Sequence, residues 1–384
     1  MFPFIYTVLL TFFYIVLIPF LLIISFKNKY KRSIPSRFFL FKNPSFKDKT
    51  IHFHSCSLGE TLSLKPLIES FDKVNLSVIT DTGFEAARKY SNADVRFLPF
   101  EIFLWFWLKP GRVLVVTEAE LWYLLFYLSK KRGGKTFLIN ARISDRSYKS
   151  YLRLRWFYKK IFENIDFVFA QTETDRERLK TLGAKNVEVA GNIKLAVKPV
   201  ITKSYEKPKK RVIVAASTHE PEEEIIFTAW LKNNKDSVLV IVPRHPERFD
   251  EVDELLSSRC KAERLSYHRF SQKSSFDADV VLVDKMGELI NIYTISDLVI
   301  LGGSFVNVGG HNPLEPAFFN KPIISGKNIY NQKESYSYVG GIELIEADEL
   351  EEVFEKKDFK PTKIVAKADI KKILKKIKEA YDVV

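Results

Sequence analysis

A few short stretches hold most of the side chains able to do chemistry: "HSCSLGE" ending in Glu60, "TEAELW" with Glu120, "INARISDRS" with Arg142, "AGNIK" with Lys194, "ASTHEPEE" with Ser217 and His219, "VPRHPER" with Arg244, and "GGSFVNVGGHNPLEP" with Asn312 and Glu315. A carboxylate can take a proton from a hydroxyl, and a guanidinium or ammonium can stabilise a departing oxyanion. The set therefore suits a group transfer in which an acceptor hydroxyl is deprotonated while a phosphate leaves. The paired glycines Gly302-Gly303 and Gly309-Gly310 suggest a backbone that lets a phosphate or nucleotide come close. No HExxH, paired-aspartate or Cys-His pattern with ligand spacing is present, so no bound metal is expected. The two cysteines, Cys56 and Cys260, are too few and too far apart for a disulfide framework or a metal cluster.

Helix capping offers a second account of the same acids. Ser57 to Glu60, Ser217 to Glu220 and Thr174 to Glu177 all have the S/T-x-x-E spacing of a capping box. In "HNPLEP", Asn312 fits an N-cap, Pro313 the first helical position and Glu315 the third. Taken singly, each acid is either a cap or a ligand contact. Capping explains neither the glycines nor Arg244, whose guanidinium at a strand exit suits an oxyanion. An isolated histidine such as His245 reads as a surface or core residue.

Positioning these groups falls to an alternation of strand-length apolar runs and amphipathic helices. "TIHFHSC", "NLSVITD", "RVLVVTE", "KTFLINA" and "DFVFAQT" are rich in β-branched and aromatic residues, and a candidate helix follows each. This is the pattern of a parallel sheet covered on both faces. It breaks at residues 197 to 210, "VKPVITKSYEKPKK", and resumes with "RVIVAAS", "SVLVIVP", "ADVVLVD", "DLVILGG" and "KPIISG". The expected organisation is an α/β domain over 50–196, a linker over 197–210, a second α/β domain over 211–365, and a C-terminal helix over 366–384 with a lysine face that packs on its domain. In doubly wound domains ligands bind beyond the carboxyl ends of the strands, which is where the polar stretches fall.

From Phe2 to Phe26 no side chain is charged. As a helix this run reaches roughly 37 Å at about 1.5 Å per residue, enough to cross a bilayer core of about 30 Å. It lacks the basic start, short apolar core and small-residue cleavage site of a signal peptide. Segment 27–49 follows with Lys27, Lys29, Lys31, Arg32, Arg37, Lys42, Lys47 and Lys49 against one acid, Asp48, interleaved with aromatic residues. That collar predicts contact with anionic lipid headgroups and places the remainder on the cytoplasmic side. It supplies much of the formal net charge of +13. No nucleic-acid recognition pattern accompanies the charge, so nucleic acid is not an expected partner. The aromatic stretch "FLPFEIFLWFWLKPG", residues 97 to 111, is either core or an interfacial dip.

"HSCSLGE", "INARISDRS", "AGNIK", "ASTHEPEE", "VPRHPERF", "DKMGEL" and "GGSFVNVGGHNPLEP", in this order, resemble the motifs of the 3-deoxy-D-manno-octulosonic acid (Kdo) transferases of lipid A biosynthesis, from about residue 51 to about 326. The resemblance implies two doubly wound, Rossmann-like domains facing across a cleft, the glycosyltransferase-B fold, behind an N-terminal transmembrane helix. The first domain would hold the acceptor and the second the donor. It assigns Glu60 as general base and puts Arg244 and Glu315 at the nucleotide. Ser217, His219, Lys194, Asn312, Gly309 and Gly310 join the donor side, and Ser57, Gly59, Glu120 and Arg142 the acceptor side. Cys56 departs from the small residues usual in the first motif. The implied reaction is an inverting, metal-independent transfer from CMP-Kdo to a lipid A precursor, with no cofactor beyond that donor. It would run on the cytoplasmic side of the inner membrane, in a single-pass protein in contact with membrane lipids. Two alternatives remain: a membrane-associated glycosyltransferase of the same fold using a UDP-sugar, and a catalytically silent glycolipid-binding protein.

Overall fold

Runs of valine, isoleucine and phenylalanine become buried parallel strands, because a strand covered on both faces tolerates few polar side chains. The computed structural model describes residues 1–27, 30–233, 236–356 and 358–383. Lys29 of the basic collar lies outside the described residues, as does residue 384. The chain forms two compact units, Met1–Val197 with Lys367–Val384, and Lys198–Ala366.

In the first unit the strands are β1 (Ile51–Ser55), β2 (Val74–Val78), β3 (Ala93–Phe97), β4 (Val113–Thr117), β5 (Lys135–Ala141), β6 (Phe167–Ala170) and β7 (Val187–Val189). They form one sheet in the order β3-β2-β1-β4-β5-β6-β7, every pair parallel. Apolar layers cover both faces, one built around Leu114, Val116 and Phe126 and the other around Ile51, Phe53 and Phe137.

The second unit repeats the plan with β8 (Arg211–Thr218), β9 (Ser237–Pro243), β10 (Tyr267–Arg269), β11 (Val280–Leu282), β12 (Leu298–Leu301), β13 (Ile323–Gly326) and β14 (Glu343–Ile345). Its order is β10-β11-β9-β8-β12-β13-β14, again all parallel. Both sheets reverse their strand order in the middle, at β1/β4 and at β8/β12.

Three expectations change. Residues 198–210 are not a free linker: they dock on the second unit, where the Tyr205 hydroxyl donates to Glu288 at 2.6 Å and the Thr202 amide to Asn291 at 2.9 Å. The C-terminal helix Ile370–Val383 belongs to the first unit, with Ile373 and Ile377 fully buried in the layer that holds Ile51 and Phe53. Its apolar stripe is thus occupied by protein. The helix predicted from Thr174 starts earlier: Thr172 is the cap, accepting from the Asp175 amide, and Thr174 lies inside Glu173–Thr181.

Helix α1 (Phe2–Ser25) is the expected apolar helix, and it is long enough and apolar enough to cross a membrane. One stripe of it docks on the first unit. The Tyr6 hydroxyl donates to Glu101 at 2.6 Å, the Trp105 indole donates to Thr7 at 3.0 Å, and the Tyr14 hydroxyl donates to the Phe38 carbonyl at 2.6 Å, on helix α2 (Ser33–Phe38). The opposite stripe, including Phe4, Val8, Phe12, Ile15 and Ile23, is exposed. Stretch 97–111 is largely core, with Leu98, Leu104, Trp107 and Leu108 buried and Phe106 exposed.

Candidate active site

In the first unit β1 and β4 end side by side, and the turns that follow bring Glu60 and Glu120 together. Helix α3 (Leu58–Ser63) is capped by Ser57, whose hydroxyl oxygen accepts from the Glu60 amide. The Glu60 carboxylate is buried: Oε2 accepts from the Cys56 amide at 2.8 Å and the Thr117 hydroxyl at 3.1 Å, and Oε1 accepts from the Ser57 hydroxyl at 2.9 Å. An ionised carboxylate offers about four lone-pair directions. Three are taken, so one remains on Oε1 for a further donor. Cap and proton acceptor are therefore compatible roles.

Glu120 accepts from the Trp122 indole at 2.8 Å and from the Cys56 thiol. Burial raises its pKa, and the nearby Glu60 adds to the rise. The same surroundings push the Cys56 thiol up to about 12, burial first and then Glu120 and Glu60, so it stays a neutral donor. Arg37, counted in sequence with the lipid-facing collar, turns inward: its Nε donates to the Leu98 carbonyl at 3.0 Å and its charge acts on Cys56 and Glu120. His54 presents Nε2 at 4.0 Å from Glu120 with no hydrogen-bond partner, and burial lowers its pKa to about 3. It is neutral at physiological pH. Gly59 has open space where a Cβ would stand, and Arg142 is exposed just after β5.

In the second unit a cavity of about 240 Å³ opens at the carboxyl ends of β8, β9 and β12. Ser217, Arg244, Asn312 and Glu315 line it, joined by Lys285 and His311. The short helix Leu314–Phe318 has Pro313, not Asn312, at its N-cap; Asn312 stands one residue earlier, its Oδ1 accepting from the Leu314 amide at 3.1 Å. Glu315 is held by Asn312 and the Arg244 charge, while burial, the larger influence, raises its pKa. It therefore faces the cavity rather than closing a capping box. His219 lies one ring behind the lining, stacked on His311 with Nε2 to Nε2 at 2.8 Å. Burial and the neighbouring His219 lower His311 to about 4.

Several expectations for this unit are corrected. Ser217 to Glu220 is not a capping box: Ser217 sits in β8 with φ of +57°, and the helix begins at Glu222. Glu222, fully buried, is the acid that matters there. Its Oε2 accepts from the amides of Gly303 at 2.7 Å and His219 at 3.0 Å, and its Oε1 from Ser304 at 3.1 Å and Phe305 at 3.0 Å. Those amides serve the protein's own carboxylate, so Gly302-Gly303 are explained by the chain itself. A Cβ on Gly302 would fall 2.6 Å from the Ser217 carbonyl. Gly309 and Gly310 do not line the cavity; they have φ of +104° and +80° and pack against Tyr330, Asn331 and Ile329. Lys194 is not in this unit: it pairs with Glu118 at 2.7 Å in the first. The helix at Leu314 is a single turn with a small dipole, and Arg244 and Lys285 are the cations that line the cavity.

Buried neutral histidines give a pH prediction. His52 and His54 are lowered to about 3 and His311 to about 4, all by burial first. Below about pH 6.5 the unfolded chain binds protons that the folded chain refuses, so each costs up to about 1.4 kcal/mol per pH unit until its folded pKa is reached. Stability is unaffected by them above pH 6.5 and is lost progressively below it, down to about pH 4 for His311 and about pH 3 for His52 and His54. In chemical denaturation at pH 7 and pH 5, His52→Gln should show a smaller pH 5 deficit than the wild type; an equal deficit contradicts the assignment.

The fold belongs to the class of proteins built from two parallel-sheet α/β units. UDP-GlcNAc 2-epimerase from Neisseria meningitidis, solved with UDP-GlcNAc, is 14% identical, covers 79% of this chain and 90% of its own, and superposes with a TM-score of 0.52. Within that class the sequence is specific. Residues 32–197 match the family model of the 3-deoxy-D-manno-octulosonic-acid transferases. The 3-deoxy-D-manno-octulosonic acid transferase of Haemophilus influenzae is 31% identical over 88% of this chain and 84% of its own length. A bifunctional glycosyltransferase/methyltransferase of Fusobacterium nucleatum is 36% identical over 74% of this chain, which spans only 48% of that relative's length. The chain belongs to the Kdo transferase family of glycosyltransferases.

Proposed function

We propose that this chain transfers Kdo from CMP-Kdo to a primary hydroxyl of a lipid A precursor, with inversion, Glu60 as general base and no metal. The observation that carries the reading is that the family's motifs stand at the reversal points of both sheets. One offers a carboxylate with a lone pair to spare, the other a cavity of cations and one carboxylate. In the step, the acceptor O–H bond breaks and its proton goes to Glu60. The acceptor oxygen bonds the anomeric carbon from the face opposite the phosphate, and the bond to CMP breaks. Arg244 and Lys285 offset the charge gained by the departing phosphate. Glu315 suits a ribose hydroxyl donor.

The site of action in this proposal is the cytoplasmic face of the inner membrane. The exposed stripe of α1 faces the bilayer, and its docked stripe holds the first unit against the lipid surface. The basic residues after it favour the cytoplasmic side.

Two binding measurements test the donor side. CMP should bind the purified chain more tightly than UDP in direct competition; a preference for UDP overturns the donor assignment. Arg244→Ala should weaken CMP about tenfold by calorimetry, the loss of one charge-assisted contact of about 1.5 kcal/mol or more. Unchanged CMP affinity removes Arg244 from the phosphate.

A further inference from the structure

A second cavity, of about 400 Å³, opens in the first unit beside α2 and β3. Lys31, Arg32, Lys42 and Arg96 surround it, with Phe41 and Phe84 as its apolar walls. We propose that it binds the phosphate of a membrane amphiphile.

The charge is not balanced from within. Arg32 pairs with Glu85 and Arg96 with Asp94, whereas Lys31 and Lys42 have no carboxylate partner among the described residues. Two ammonium groups are thus left to an anion. The aromatic walls hold the cations in place: the Arg32 guanidinium lies 5.0 Å above the Phe84 ring, Phe84 stacks on Phe97 at 4.4 Å, and the Lys42 ammonium is 5.3 Å from the Phe41 ring.

The turn that presents Phe41 and Lys42 is built rather than loose. Leu40 and Lys42 have φ of +55° and +50°, a conformation that non-glycine residues hold only where the surroundings enforce it. Asn43 does so, donating to the Phe97 carbonyl at 2.8 Å and the Ser36 carbonyl at 3.0 Å.

Placement favours an amphiphile over a free anion. α1 ends at Ser25, six residues before Lys31, a reach of at most about 20 Å, and Tyr14 of α1 bonds to α2. The cavity mouth thus lies near the end of the apolar helix, with exposed Phe41 at its lip to meet acyl or glycerol carbon.

The test uses the full chain in neutral detergent micelles, titrated with dioleoyl phosphatidylglycerol, with dioleoylglycerol, which lacks the phosphate, and with glycerol 3-phosphate, which lacks the chains. The wild type should bind phosphatidylglycerol saturably, glycerol 3-phosphate more weakly and dioleoylglycerol weakest. The pair Lys31→Ala with Lys42→Ala should lower phosphatidylglycerol affinity about tenfold or more. The pair Lys371→Ala with Lys375→Ala, which removes as much charge from the exposed face of the C-terminal helix, should not. Equal binding by wild type and the first pair, equal loss in the second pair, or dioleoylglycerol binding as well as phosphatidylglycerol overturns the proposal.

The occupant is then separated by transfer assays in phosphatidylcholine vesicles. A raised acceptor KM at unchanged kcat in the first pair identifies the acceptor's own phosphate, and an unchanged KM identifies a bulk lipid headgroup. The binding arm needs no turnover, so it stands or falls apart from the proposed reaction.

Discussion

Glu60→Gln is expected to lower transfer by about 10²- to 10⁴-fold while leaving CMP affinity at the wild-type level. Glutamine keeps the shape and can still take donors at one oxygen, but it cannot accept the acceptor's proton. Two of the three donors on Glu60, the Cys56 amide and the Thr117 hydroxyl, converge on Oε2, so an amide placed with its oxygen there keeps the cap at α3. Alanine would take this partner from the Cys56 amide and the Ser57 hydroxyl, leaving Thr117 only the His54 carbonyl, and so mix a folding defect with the catalytic one. CMP affinity is the built-in control, because the cavity proposed for the nucleotide is lined wholly by second-unit residues. Single-turnover kinetics with saturating donor make the comparison. Turnover within a few-fold of wild type would remove Glu60 as the base. Glu120→Gln belongs in the same experiment, because its carboxylate stands near Glu60 and burial raises its pKa.

Glu222→Ala is expected to destabilise the second unit by at least about 4 kcal/mol, since it strips the partner from four amide donors at roughly 1–3 kcal/mol for each one left buried and unsatisfied. A domain is stable by only about 5–15 kcal/mol, so much of the margin goes. Glu222→Gln should be milder, because its single oxygen can hold two of the four amides while its NH₂ group faces the other two. The readout is the denaturation midpoint of the second unit, followed by CMP affinity where the fold survives. The loop Gly302–Phe305 leads into the stretch that carries His311, Asn312 and Glu315, so CMP should weaken in the glutamine variant as well. A midpoint within a few degrees of wild type in Glu222→Ala would show that the amides find other partners.

How much of this was legible in the sequence follows from what each element buries. Central strands such as Ile51–Ser55 and Ser237–Pro243 are covered on both faces and read as unbroken apolar runs. Edge strands β3 and β7 carry Asp94, Arg96 and Glu188 because one side meets solvent, so they show a short apolar–polar alternation instead of an unbroken apolar run. Helix starts were misplaced, by four residues at Ser217 and by two at Thr174, because a capping box is only a spacing, and overlapping serines, threonines and acids satisfy it in more than one frame. Arg37 was hidden among cations that face solvent; only α2 docking beside Cys56 and Glu120 gives it a different task. Glu222 was hidden by its neighbours in "THEPEE", since nothing local distinguishes an acid that caps its own helix from one that also clamps a loop 80 residues on. The glycines misled for a related reason: positive φ and close backbone approach are required equally by a ligand and by the protein's own packing.

The most direct measurement is the mass of the product formed when the purified full chain is incubated with CMP-Kdo and a tetraacylated lipid A precursor. The account predicts acceptor molecules heavier by whole Kdo residues, with CMP released in equal number and almost none formed by Glu60→Gln. Unmodified acceptor from the folded wild-type chain, or an acceptor extended only when a UDP-sugar replaces CMP-Kdo, would contradict it.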